Sequence, residues 1–171
     1  MNKASTIKAL ETSYRGHRFR SRLEARWAVF FDAIGWAWEY EPQGYALRGG
    51  LCYLPDFLVE GDYFVEVKPA LPTDEEKTKA LRLAKGLNST VVFGIGPPDA
   101  KEIAYGLGGY SYAADGGSPE DGRIKSRWRD GLLSFSGYCF SKWARPGWYT
   151  YMEPWPEDFE ACIKARAQRF G

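Results

Sequence analysis

The string Tyr53-Leu54-Pro55-Asp56-Phe57-Leu58-Val59, then Glu60-Gly61-Asp62, then Tyr63-Phe64-Val65-Glu66-Val67-Lys68-Pro69, admits few folds. Both flanks are rich in aromatic and β-branched residues and the middle reads as a turn, so the stretch predicts a β-hairpin. With a three-residue loop, Val59 pairs with Tyr63, Phe57 with Val65 and Pro55 with Val67, and that face is apolar throughout. The opposite face pairs Leu58 with Phe64, Asp56 with Glu66 and Leu54 with Lys68. A two-residue loop would set Phe57 against Glu66 and mix the faces, so the first register is favoured. Two carboxylates and an ammonium group then share one side. Directly opposed residues have Cβ atoms roughly 5 Å apart, where like charges are destabilising. Either water and Lys68 screen an exposed acidic pair, or a cation sits between the acids.

Helical and strand patterns surround this hairpin. Leu23, Trp27, Phe30, Phe31 and Ile34 fall at helical spacing, which predicts a helix over residues 21–34 stopped by Gly35. Residues 36–41 alternate as a strand ended by Pro42, and Arg48-Gly49-Gly50 reads as a turn. Thr73 with Glu76 three residues on is a capping box, opening a helix over 73–85 with Gly86 as its stop. Residues 90–95, TVVFGI, read as a buried strand, and strand–helix–strand at this length implies a parallel crossover beside the hairpin. The reading is a mixed α/β (α+β) sheet with an α-β-β-β-α-β core. A basic leader spans 1–20, the core 21–98, and a C-terminal elaboration 99–171. Within the elaboration, 131–140 and 148–152 read as a β-hairpin. Residues from Pro154 to Gly171 read as an amphipathic helix with Phe159, Ile163 and Phe170 on its apolar side.

Composition narrows the classes. A chain of 171 residues can bury a sizeable core, and 7 Trp, 11 Tyr and 10 Phe make that core aromatic. The formal net charge of +1 leaves any polyanion binding to local clusters. The 3 cysteines, Cys52, Cys139 and Cys162, lie far apart with no paired-thiol spacing. Together with the absence of a signal-peptide pattern this predicts reduced thiols in a cytoplasmic setting. No apolar run reaches the length of a membrane span. GIGPP and GLGG lack the Lys and Ser/Thr of a phosphate-binding loop, and the single histidine, His17, has no cysteine partner for a zinc site.

Four motifs in order resemble the PD-(D/E)xK nuclease superfamily, with its restriction-endonuclease-like fold. SRLEARWA supplies Glu24, LPDF supplies Asp56, and VEVKP supplies Glu66 and Lys68. EYEPQGY ahead of YLPDF is similar to a subgroup holding transposon-end-cleaving nucleases and small phage-encoded proteins. The resemblance covers residues 20–96 and leaves 99–171 unmatched. It implies a metal-dependent DNA endonuclease in which Asp56, Glu66 and the Val67 carbonyl hold Mg²⁺ or Mn²⁺. Lys68 would orient a water or offset phosphate charge, and Glu24 would bind a metal-bound water or a second metal. DNA is the implied partner, with RNA as another substrate and a homodimer or partner protein required for cutting both strands. A non-cleaving nucleic-acid-binding or assembly module on the same scaffold is the alternative.

Some residues carry two readings. Ser21-Arg22-Leu23-Glu24 is also a capping box, and the capping and metal-site roles are compatible. Arg15, Arg18, Arg20, Arg22 and Arg26 crowd the start of the first helix, where positive charge opposes the macrodipole, so they suit a phosphate-contacting patch. Arg127, Trp128 and Arg129 combine basic and aromatic groups as single-strand binding surfaces do. Both clusters also read as ordinary solvated charge.

Overall fold

A computed structural model describes residues 9–61, 63–87, 89–99, 109–113, 133–134 and 156–170. The strands are β1 (Thr12–Tyr14), β2 (His17–Phe19), β3 (Trp38–Tyr40), β4 (Tyr45–Leu47), β5 (Leu51–Tyr53), β6 (Phe57–Val59), β7 (Tyr63–Lys68), β8 (Thr90–Ile95), β9 (Gly109–Ala113) and β10 (Leu133–Ser134). The helices are α1 (Arg22–Ala33), α2 (Asp74–Leu87) and α3 (Pro156–Ala167). Six strands form one mixed sheet in the order β10-β9-β8-β7-β6-β3, with β7 and β8 parallel and its other pairs antiparallel. The hairpin register is the one the alternation favours, pairing Phe57 with Val65, Leu58 with Phe64 and Val59 with Tyr63.

The sheet separates two apolar layers because strand side chains alternate. Phe57, Val59, Val65, Val67 and Val92 pack toward α1. Phe64, Val91 and Phe93 pack toward Ala80, Leu83 and Ala84 of α2. The α1 layer is strongly aromatic: Phe19, Phe30, Phe31 and Phe57 are fully buried, and the Phe19 ring lies 4.5 Å from Tyr40 and 6.0 Å from Phe57.

α1 is fixed at both ends. The Ser21 hydroxyl accepts the Glu24 amide at 3.1 Å, which caps the N-terminus. At the other end Gly35 takes φ +74, the Gly35 amide donates to the Asp32 carbonyl at 3.2 Å, and the Trp36 amide donates to the Phe31 carbonyl at 2.9 Å. That is a Schellman closure, and the positive φ is why glycine ends this helix. The Trp27 indole donates to the Gly96 carbonyl at 2.9 Å, and a Cβ on Gly94 would stand 2.7 Å from that ring. GIGPP is therefore the seat of Trp27.

Several expectations need correction. The stretch read as a basic leader carries the β1–β2 hairpin, turned by Arg15 and Gly16 at φ 47 and 81. The strand read over 53–59 is two strands, β5 and β6, with Leu54-Pro55-Asp56 between them. Pro55 has no amide to donate to a ladder, so pairing breaks there. β5 turns instead onto β4, through Gly49 and Gly50 at positive φ. Gly86 does not end α2, which runs on to Leu87.

The C-terminal region differs most. Leu133-Ser134 pairs with β9; the 148–152 half of the expected hairpin lies outside the described residues. α3 packs on α1 through Ala161, Cys162 and Ala165, while Phe159 and Ile163 are exposed, Ile163 at 66%. Small side chains fit there because α1 already presents bulky ones, and helices approach closely only over small residues. Phe170, just past the helix, does pack against the core, edge-on to Tyr14 at 6.3 Å. Among the described residues no helix is long and apolar enough to cross a membrane.

Candidate active site

The acids gather where β6 and β7 begin and end, beside the first turn of α1. Asp56 follows the ladder-breaking Pro55, is 3% exposed, and accepts the Val67 amide through Oδ2 at 2.7 Å. Its other oxygen meets the Arg20 guanidinium. Burial first, and then the charge of Glu66, push the Asp56 carboxyl up to about 7, against the opposing pull of the Val67 amide and Arg20.

Glu66 is 8% exposed, and its two oxygens are used separately. One pairs with Lys68 Nζ at 2.9 Å, and the other accepts the Tyr53 hydroxyl at 3.0 Å. Burial, then the neighbouring Glu66 charge, raises the Tyr53 phenol above its usual value, so it stays a donor. Lys68 also pairs with Glu76 of α2 at 2.8 Å. Burial opposes the Lys68 charge, but the hydrogen bonds to Glu66 and Glu76 outweigh it and hold the ammonium above its ordinary range. Burial likewise works against the Glu76 charge, yet Lys68 and the Thr73 cap bring Glu76 down to about 2.

Glu24, 8% exposed, arrives from α1. It takes the Ser21 hydroxyl at 2.7 Å, the Tyr40 hydroxyl at 2.6 Å and the Arg20 amide at 3.1 Å. The capping box is thus displaced: Glu24 reaches back to the amide of Arg20 where Ser21 was expected. Arg20 Nε lies 2.9 Å from Glu41 and 4.0 Å from Glu24, so its guanidinium balances three carboxylates including Asp56.

The basic cluster at the start of α1 is dispersed. Arg15 pairs with Asp32 at 3.0 Å, Arg18 with Glu11, and Arg20 with the acids above. Arg22 and Arg26 point elsewhere, to a cleft shared with α3. Arg127, Trp128, Arg129 and Cys139 lie outside the described residues. Sequence reasoning missed Tyr40, Tyr53, Glu41 and Glu76 as members of the site. Tyr53 and Tyr40 carried a signal in retrospect, since each lies in a short strand run next to a motif residue and has a hydroxyl that must find a partner when buried.

Among the described residues no three acidic, histidine or cysteine side chains converge as a ready-made metal cage. Each acid is held by donors of the protein. The donor set is nonetheless all hard oxygen, and burial together with mutual repulsion leaves Asp56 with a charge it resists. Hard divalent cations take carboxylate oxygens of this kind, so the residues fit such an ion. Comparison with known proteins gives no counterpart: no family model matches, and neither does any curated protein or solved structure.

Proposed function

We propose that this chain is a metal-dependent deoxyribonuclease built on a restriction-endonuclease-like core, hydrolysing phosphodiester bonds within DNA. The observation that carries the reading is the juxtaposition of buried Asp56 and Glu66, whose charges disfavour one another, with Lys68 on Glu66. Asp56 and Glu66 would hold Mg²⁺ or Mn²⁺, with the Val67 carbonyl and Glu24 as further oxygens. Such an ion supplies Lewis acidity at phosphorus and an acidified water. The Lys68 ammonium, kept charged by its two carboxylate partners, offsets negative charge growing on the phosphate oxygens. Glu24 is fixed by the Ser21 and Tyr40 hydroxyls, so it can orient a water without rearranging. Arg20, half exposed beside Asp56, can turn its guanidinium toward a phosphate.

One observation favours a second reading, a non-cleaving nucleic-acid-binding or assembly module. Every site acid already has an internal donor, as an ion-independent fold would need. Incubation of the purified chain with supercoiled plasmid and Mg²⁺ or Mn²⁺ separates the two. The nuclease reading expects nicked or linear product, lost with EDTA and in Asp56→Ala. Equal cleavage by Asp56→Ala, or no cleavage together with no divalent-ion shift in melting temperature, would sink it. Matched RNA substrates in the same assay decide between DNA and RNA.

A further inference from the structure

Four guanidinium groups face one cleft on the side of α1 away from the acids. Arg22 and Arg26 stand one turn apart on α1, and Arg166 and Arg169 come from the end of α3 and the residues after it. The cleft has a volume of about 410 Å³ and is completed by Gln168 and Phe170. Two residues along a helix turn about 200°, so Arg22 and Arg26 project from the face opposite Glu24. The cleft and the acid pocket therefore flank the first turn of α1, about one helix diameter apart, roughly 10–12 Å.

Positive charge at this density repels itself unless something negative joins it. Among the described residues only Arg166 has a carboxylate, Asp99 at 2.6 Å, and its Nε donates to the Pro98 carbonyl at 2.8 Å. Among the described residues, Arg22, Arg26 and Arg169 enter no ion pair. Arg26 Nε is buried and meets no acceptor among the described residues. A buried donor left unmade is costly and calls for an explanation. The C-terminal dipole of α3 accounts for Arg166 and Arg169, but at the N-terminus of α1 the dipole opposes Arg22 and Arg26. An anion in the cleft would meet the Arg22 and Arg26 side chains, the N-terminal dipole and the arginines of α3 together.

We propose that this cleft is a second phosphate site, holding a backbone phosphate of a bound nucleic-acid strand. Guanidinium forks match phosphate oxygens in pairs, and a 410 Å³ cleft also admits the attached sugar. Resting on the nuclease reading for the position of the scissile bond, the phosphate bound here lies on the order of three nucleotides from it, given about 3.4 Å of strand per charge.

The test is duplex binding by the full chain in EDTA, followed by fluorescence anisotropy across a salt series. The Arg22→Gln/Arg169→Gln pair should bind about tenfold more weakly at moderate salt, with a salt slope shallower by about 0.9 for the phosphate lost. The corresponding Lys pair should restore the slope and only part of the affinity, because an ammonium makes no paired contact. A Gln pair that folds and keeps both affinity and slope overturns the site. Arg169 is exposed beyond α3, so Arg169→Gln alone serves the same test if the pair does not fold. Arginine-dependent binding without any cleavage would remove the nuclease reading and keep the cleft. Cleavage with an unchanged slope in the Gln pair would do the reverse.

Discussion

The acid pocket and the arginine cleft lie on opposite sides of the same helical turn and are built in opposite ways. In the pocket the charges are buried, and every carboxylate has donors from the chain. In the cleft three of four cations have no carboxylate among the described residues. Charge type explains part of the contrast. A carboxylate at a strand end is short, so it is buried with its backbone and must be satisfied on site. An arginine reaches solvent along its stem and can wait for a partner. The pocket thus holds more negative charge than its burial favours, and three guanidinium groups of the cleft have no carboxylate among the described residues. On the proposed reading a phosphodiester strand with a hard cation would answer both needs, and the two regions should respond to different reagents.

The largest effect should come from Asp56→Asn. Asparagine keeps an oxygen for the Val67 amide but carries no charge. On the nuclease reading cleavage should fall by on the order of 10³ or more, because the carboxylate assigned to the ion is gone. If the cleft supplies most of the grip on the strand, duplex binding in EDTA should stay within about twofold. Melting at pH 8 without metal should be no lower than for the parent protein. Loss of EDTA binding alongside cleavage would merge the two regions into one.

Proton linkage comes next in size. Asp56 rises from 3.8 to about 7 on folding, chiefly through burial. Below the unfolded value both states hold the proton. Between the two values the unfolded chain releases it while the folded chain keeps it, so stability falls as pH rises through that window and levels off above about 7. The effect is on the order of a few kcal/mol. A divalent ion bound at Asp56 would take the place of that proton. Mn²⁺ should therefore raise the melting temperature little at pH 5.5 and substantially at pH 8. Guanidinium groups do not titrate in this range, so EDTA duplex binding should change far less between those pH values. An equal Mn²⁺ shift at both pH values would mean that the ion binds away from Asp56.

The sequence showed the pocket far more clearly than the cleft, and the reason is range. Strand parity and a three-residue turn are local rules, and they placed Phe57 against Val65 and Leu58 against Phe64 as found. The caps at Ser21 and Thr73 are likewise local. Tyr53 joined the site only because Pro55 broke the strand and turned β5 onto β4, a consequence that alternation alone does not express. Arg20 read as one of five phosphate-binding arginines, yet it lies against Asp56, 36 residues away. The cleft joins residues 22 and 26 to 166 and 169, so nothing in a sequence window could reveal it. The buried side of α3 differs from the one its bulky residues predict, for a related reason. Size favoured Phe159 and Ile163, but the room left beside α1 selected Ala161, Cys162 and Ala165.

Tyr53→Phe should give the smallest effect and the finest discrimination. The ring packs with Phe64 and Phe93 on the α2 side of the sheet, and phenylalanine keeps that shape. Only the hydroxyl is lost, and with it the donor to Glu66 at 3.0 Å. A hydrogen bond to a charged acceptor contributes about 1.5 kcal/mol, so the variant should be less stable by that amount in EDTA and melt lower. With saturating Mn²⁺ a cation would serve the same Glu66 oxygen, and the gap between variant and parent should close. Arg169→Gln, on the cleft side, should show a stability difference that ignores the metal. If the Tyr53→Phe gap is the same with and without Mn²⁺, Glu66 does not hold the ion, and the pocket loses its claim to be the metal-binding half of the pair.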